Sequence, residues 1–169
     1  MKFRRIAAVA AGALAAPIMV MALPSSPAFA HGYVSSPPSR QAQCAKGVVR
    51  CGAIKYEPQS VEGPKGQRNC HGDDRRWAEL SDDSKGWKVT NVGRNATFKW
   101  TFTARHRTAS YEYYVGGNRV AYFNGNNQAP GATITHNVTL PAGQQKVLAI
   151  WNIGDTSNAF YACIDVNVQ

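Results

Sequence analysis

Three features are scarce in this sequence, and each scarcity excludes something. None of its four cysteines stands in a C-x-x-C pair, so the usual zinc-clamp spacing is missing and a zinc site built from them with His71 has no support. Acids are few, ten against nineteen lysines and arginines. A basic chain carrying Trp and Tyr raises the question of nucleic acid, but the cations are scattered along the chain instead of gathered on one face, and that class is set aside. Helical periodicity is scarce too, and nothing marks a linker or a second module.

The one long apolar run, Ile6 to Leu23, follows Lys2, Arg4 and Arg5 and leads to Ala28-Phe29-Ala30, a small-x-small cleavage site. These are the parts of a secretory signal peptide, so residues 1–30 are expected to be removed and the protein to be secreted and extracellular. Ala, Gly and Pro dilute the run and the cleavage site ends it, which argues against a membrane anchor and leaves the mature form with no membrane partner. Arg4-Arg5 lacks the preceding serine and the bulky apolar pair of a twin-arginine signal, which favours ordinary export. The mature chain, 31–169, keeps 139 of the 169 residues, enough for one domain with a modest core, and carries a net charge of +6 once the three leader cations are gone.

All the cysteines (Cys44, Cys51, Cys70 and Cys163) lie in this mature part, and an even number in an oxidising compartment implies disulfides. Three pairings are open. Cys44 with Cys51 would close a short loop, and Cys70 with Cys163 would then tie a long one to the last strand.

From His31 to about Leu80 only Asp73 to Leu80 reads as a helical turn or two, its start favoured by Asp73 and Asp74. So long an irregular stretch inside a domain is either functional or disordered, and its cysteines argue for the first. Beyond Asn95 the pattern changes. In Thr97 to Ala104, Phe98, Trp100, Phe102 and Ala104 alternate with threonine and lysine, the mark of a half-buried strand. Further strands are expected at Ser110 to Val115, Arg119 to Phe123, Ala132 to Leu140, Lys146 to Ile153 and Ala159 to Val168, most of them separated by Gly, Pro or Asn. Short strands without intervening helices predict an all-β fold, an immunoglobulin or fibronectin III-like antiparallel β-sandwich with a long N-terminal loop region, containing short helical turns, packed on one end. In the last strand Phe160, Ala162, Ile164, Val166 and Val168 share the inward face, so Cys163 faces outward, as a bridge to an overlying loop requires.

Cleavage after Ala30 would give one residue, His31, both a free α-amine and an imidazole. An α-amine titrates near ~7.7–8.0, so a transition metal displaces its proton easily at neutral pH. Continuing the 97–104 alternation by two residues puts His106 on the inward side at the strand's rim. Alone, His106 reads as a polar strand terminus. With His31 it completes a set of three nitrogens, which suits a single copper ion. His136 shares an apolar face with Ile134, Val138 and Leu140 and reads as a hydrogen-bonded core histidine, while His71, in a loop beside Cys70, reads as solvated.

Four stretches, His31-Gly-Tyr-Val, Cys51-Gly-Ala-Ile-Lys-Tyr-Glu-Pro-Gln-Ser-Val-Glu-Gly, Trp100-Thr-Phe-Thr-Ala-Arg-His106 and Trp151-Asn-Ile-Gly-Asp-Thr-Ser-Asn-Ala-Phe160-Tyr, stand in this order along the mature chain. Together they resemble the bacterial chitin-binding-type lytic polysaccharide monooxygenases of auxiliary activity family ten. The resemblance implies a histidine brace in which copper is held by the amine and ring of His31 and the ring of His106. It also implies that Ala104 crowds one axial position and Phe160 fills the other. Glu62 matches the family's carboxylate for the oxygen co-substrate; its plain alternative is a loop salt bridge with Lys65. Tyr56 matches an aromatic on a flat contact face with Glu57 and Asp155 beside it; its plain alternative is core. Trp151 reads as core or as an electron-hopping aromatic. The Cys44–Cys51 pairing resembles the family, which leaves Cys70–Cys163 by parity, and the charged segment Arg68 to Asp83 matches no family signature.

The activity so implied is oxidative cleavage of glycosidic bonds in crystalline chitin by a monomeric enzyme, at C1, with an external electron donor and hydrogen peroxide or dioxygen. No hydrolytic pair of carboxylates is needed. The rivals are a cellulose-active enzyme of the same family, a non-catalytic chitin-binding module, and a copper carrier, although the last leaves Tyr56 and its face unexplained.

Overall fold

Residues 30–169 are described by the computed structural model; the signal peptide expected over residues 1–30 lies outside them, apart from Ala30. The architecture follows from where apolar residues alternate. Nine strands are described: β1 (His31–Ser36), β2 (Glu62–Pro64), β3 (Thr90–Val92), β4 (Asn95–Ala104), β5 (Thr108–Val115), β6 (Asn118–Gln128), β7 (Thr133–Thr139), β8 (Gly143–Ile153) and β9 (Asn158–Val168). One short helix, α1 (Arg40–Ala45), and 3-10 turns at Ala53–Tyr56, Arg75–Ser81 and Asp83–Lys85 complete the set. The smaller sheet runs β1-β4-β7 and the larger β2-β9-β8-β5-β6, with β3 added in parallel to β9.

The alternation of β4 has the expected result. Ala96, Phe98, Trp100 and Phe102 are buried while Thr97, Lys99 and Thr103 are exposed. They meet Tyr111, Tyr113 and Val115 of β5, Val147, Ala149, Trp151 and Ile153 of β8, and Phe160, Ala162, Ile164, Val166 and Val168 of β9, in one core between the sheets. The opposite faces of β8 and β9 are covered as well. Leu148, Ile150, Tyr161 and Cys163 pack under Val49, Ile54, Val61, Trp77 and Leu80 from the irregular N-terminal region. Burial on both faces is why β8 reads as the continuous run Val-Leu-Ala-Ile-Trp instead of alternating.

Both disulfides are present, Cys44–Cys51 and Cys70–Cys163, and the second clamps the covering region onto β9 across 93 residues. At the centre of this cover Arg40, 2% exposed, grips Asp165 with Nε and a terminal nitrogen at 2.8 and 2.9 Å, reaches Asp83 at 2.8 Å, and donates to the Leu80 carbonyl. It also stacks over Trp87.

The region from 31 to 80 is more ordered than its periodicity suggests. β1, β2 and α1 were not expected there, and neither was β3 beyond it, because each is too short to show a period; α1 is capped by Ser39, whose Oγ accepts from the Ala42 amide. The helical stretch expected over Asp73–Leu80 is a 3-10 turn, Arg75–Ser81, capped by Asp74. His71 is not simply solvated: it is half-buried, with Nδ1 2.7 Å from Ser81 Oγ. His136 is a core histidine as expected, 2.8 Å from the Tyr113 hydroxyl.

Candidate active site

The strand register brings the sequence's scattered candidates to one end of the sandwich. His31 opens β1 and pairs with Ala104, the last residue of β4. Two residues later His106 lies buried where the chain passes from the smaller sheet to the larger. The crossing is pinned on the far side, where the Gly154 amide donates to the Arg107 carbonyl at 2.7 Å. Phe160, fully buried, presents its ring 6.5 Å from that of His31 in an edge-on arrangement. In the register of β2 with β9, Glu62 pairs with Phe160, so its carboxylate joins the same end.

Each polar candidate then has a definite neighbour. Asp155 Oδ1 lies 2.8 Å from His106 Nδ1, close enough for an ion pair, yet the alignment falls short of a hydrogen bond and Nδ1 is otherwise a buried polar atom without one. Glu62 Oε1 accepts from Asn158 Nδ2 at 2.8 Å. The alternative ion pair with Lys65 is not made, because Lys65 Nζ donates to the Thr156 carbonyl instead. Tyr56 is 79% exposed, which rules out the core reading, and Lys55 lies over its ring at 4.7 Å. Glu57 follows it, half-buried, and the loop is tied to the site by the Gly32 amide donating to the Gln59 carbonyl at 3.1 Å. Trp151 is wholly buried, 5.0 Å from Phe160 and 4.7 Å from Phe102, and its indole donates to Thr108 Oγ1 at 2.7 Å.

Three functional neighbours escaped the sequence reading: Asn158, Gln59 and Thr108. Asn158 and Gln59 sit inside quoted motifs, but only pairing reveals what they touch. Thr108 follows His106 by two residues and carries no local signal. The disulfide cysteines lie away from this end, on the outer face of β9 and its cover.

Among the described residues no group of three or more His, Cys, Asp or Glu side chains forms a metal cage. The donors gathered here are two imidazoles and the main-chain nitrogen of His31, which Ala30 still acylates in the described chain. That set fits a nitrogen-ligated metal once Ala30 is gone. Asp155 stands 2.8 Å from the buried Nδ1 of His106, where a carboxylate that accepts the ring N–H orients a ligating histidine.

Before any comparison, the class is a β-sandwich that brings two histidines to one end, with an apolar ring beside His31 and an exposed tyrosine on a loop tied to Gly32. The comparisons agree. The family model described as "Lytic polysaccharide mono-oxygenase, cellulose-degrading" matches residues 31–166. A "Lytic chitin monooxygenase" of Streptomyces ambofaciens is 60% identical over 97% of this chain and 96% of that one. A GlcNAc-binding protein A of Shewanella oneidensis is 35% identical, but this chain spans only 37% of its length. Among solved structures, a lytic polysaccharide monooxygenase of Jonesia denitrificans is 46% identical, with a TM-score of 0.80 over 82% of this chain and all of that one. A Bacillus amyloliquefaciens protein solved in complex with Cu(I) is 28% identical, with a TM-score of 0.62 over 82% of this chain and all of that one. The chain belongs to the lytic polysaccharide monooxygenases, and within them to the AA10 group. It is an oxidoreductase with the sandwich fold of that family.

Proposed function

We propose that this protein is a secreted, copper-dependent lytic chitin monooxygenase of one domain, active after removal of residues 1–30 and acting at C1 of the glycosidic link. The observation that carries the reading is the pairing of His31 with Ala104, two residues short of a buried His106 backed by Asp155. Similarity to the Streptomyces ambofaciens enzyme supports chitin as the substrate.

His31, through its main-chain nitrogen and ring, and His106, through its ring, would hold copper. When bound, copper supplies the one-electron chemistry by which an oxygen co-substrate attacks a carbon–hydrogen bond. The protein's own residues do the rest. Asp155 lies 2.8 Å from His106 Nδ1, so the other ring nitrogen would be the one offered to the metal. Ala104 opposite His31 and the buried Phe160 ring beside it would give the centre apolar neighbours. Glu62, held by Asn158, offers a carboxylate oxygen for positioning the co-substrate. Tyr56, standing clear of the surface, gives a flat ring for the apolar face of a sugar, and Glu57 and Asp155 add acceptors for its hydroxyls. Crystalline chitin is flat and uncharged, and such a face suits it better than a cleft.

Cellulose is the second reading, because the matching family is described as cellulose-degrading. Processed, copper-loaded protein given chitin or cellulose with ascorbate decides between them. Chain ends sixteen mass units heavier than native in the chitin reaction are expected. Oxidised products from cellulose alone would transfer the assignment, and native chains or none from both would leave only a binding module.

A further inference from the structure

β6 breaks its register with β5 close to the working face. Gln128 pairs with Thr108 and Asn124 with Ser110, so Gly125, Asn126 and Asn127 stand opposite the single residue Ala109. The extra residues form a bulge, and both asparagines adopt left-handed backbone, with φ of 51° and 54°. Successive non-glycine residues in that region are uncommon; strained backbone of this kind, like β-bulges generally, concentrates beside active sites, where it re-aims side chains.

The bulge is held firmly. A Cβ at Gly125 would strike the Thr108 carbonyl oxygen at 2.3 Å, so only glycine lets β6 approach there, and the Asn126 amide donates to Asn124 Oδ1 at 2.8 Å. Asn127 Oδ1 lies where a Cβ on Gly154 would be, 2.0 Å from that position. Gly154 is the residue whose amide pins Arg107, and Asp155 behind it backs His106. Asn126 and Asn127 are exposed. They therefore stand at the end of the sandwich that carries His106, against Gly154 and next to Asp155.

We propose that Asn126 and Asn127 form an amide ledge that extends the polysaccharide-contact face beside His106 and Asp155 and hydrogen-bonds the hydroxyl and acetamido groups of a chain lying on it. The inference rests on the polysaccharide reading given above. Primary amides are neutral donors and acceptors at once, the chemistry that matches an uncharged sugar polymer.

Glycine tests the ledge without disturbing its backbone, because glycine takes positive φ freely. The N126G/N127G double variant of the copper-loaded mature protein is compared with its parent in adsorption isotherms on crystalline chitin and on cellulose, and in thermal unfolding. Loss of two net hydrogen bonds predicts adsorption to chitin about tenfold weaker, with an unfolding temperature equal to or above the parent's. Equal adsorption overturns the proposal, and so does weaker adsorption accompanied by a lower unfolding temperature, since the bulge would then be acting as a prop. A parent that adsorbs to neither polymer overturns the polysaccharide reading itself, and the ledge with it.

Discussion

Replacing Gly32 by alanine would strike the joint that sets the distance between the two histidines. At Gly32 strand β1 lies so close to the core that a Cβ would stand 2.6 Å from Phe102 Cδ1 and 3.1 Å from a ring carbon of Trp151. Carbon atoms rest at ~3.5–4.0 Å, so ring or strand must give by about an ångström. The rings have nowhere to go. Phe102 is stacked on Trp100 at 6.2 Å and meets Trp151 edge-on at 4.7 Å, and Trp151 is backed by Phe160 at 5.0 Å. The strand therefore lifts, taking His31 away from Ala104 and His106. Overpacking of this kind costs about 1–3 kcal/mol, so a value near 2 lowers the melting temperature of a domain this size by roughly 8 °C. Copper affinity should fall with it, by about tenfold or more, as when the support of a ligand is lost. Thermal unfolding followed by circular dichroism, with calorimetric copper titration of the processed protein, reads both effects. A variant that melts within a degree or so of the parent and binds copper equally well would refute the reasoning, because the gap at Gly32 would then be elastic.

Removing Arg40 leaves the half-buried Asp165 without its partner, so Arg40→Ala should lose about 2–3 kcal/mol in chemical denaturation while Arg40→Lys, unable to make the paired contact, recovers only part of it. Full recovery by lysine would contradict the paired geometry at 2.8 and 2.9 Å. Burial pushes His136 down from 6.5 to about 4, so the folded protein keeps the ring neutral where the unfolded chain would protonate it. Its contribution is complete above the unfolded value and is lost as pH falls from about 6.5 towards 4, about 2 kcal/mol after allowing for solvent at the cavity that the ring lines. Denaturation midpoints for the parent and for His136→Gln across that interval should converge at the acid end, and parallel curves would contradict the burial argument. Asn158→Ala releases Glu62 without touching either histidine. It should lower the rate of oxidised-product release about tenfold with copper affinity unchanged, whereas an unchanged rate would remove Glu62 from the co-substrate's surroundings.

What could be read from the sequence was what repeats or what chemistry demands. The β4 alternation located the core and, carried two residues further, the rim position of His106. The same alternation in β9 turned Phe160 inward and Cys163 outward, onto the bridge with Cys70. The N-terminal region was opaque because its order comes from partners far away in the chain. Arg40 is buried by Asp165, 125 residues on, and β2 exists through β9. His71 found Ser81 inside a turn whose path no local pattern discloses. Glu62 showed one neighbour in the sequence, Lys65 nearby, and register gave it another, Asn158, 96 residues away. The bulge at Asn126 and Asn127 is invisible for the same reason, since a bulge is a mismatch between two strands and neither strand alone contains it.

Electron paramagnetic resonance of the protein trimmed to start at His31 and loaded with one equivalent of Cu(II) tests the central claim most directly. The account predicts a single tetragonal signal with hyperfine coupling to several nitrogens, lost in His106→Ala and in protein that retains Ala30. A spectrum without nitrogen coupling, or one that persists unchanged with Ala30 in place, would contradict it.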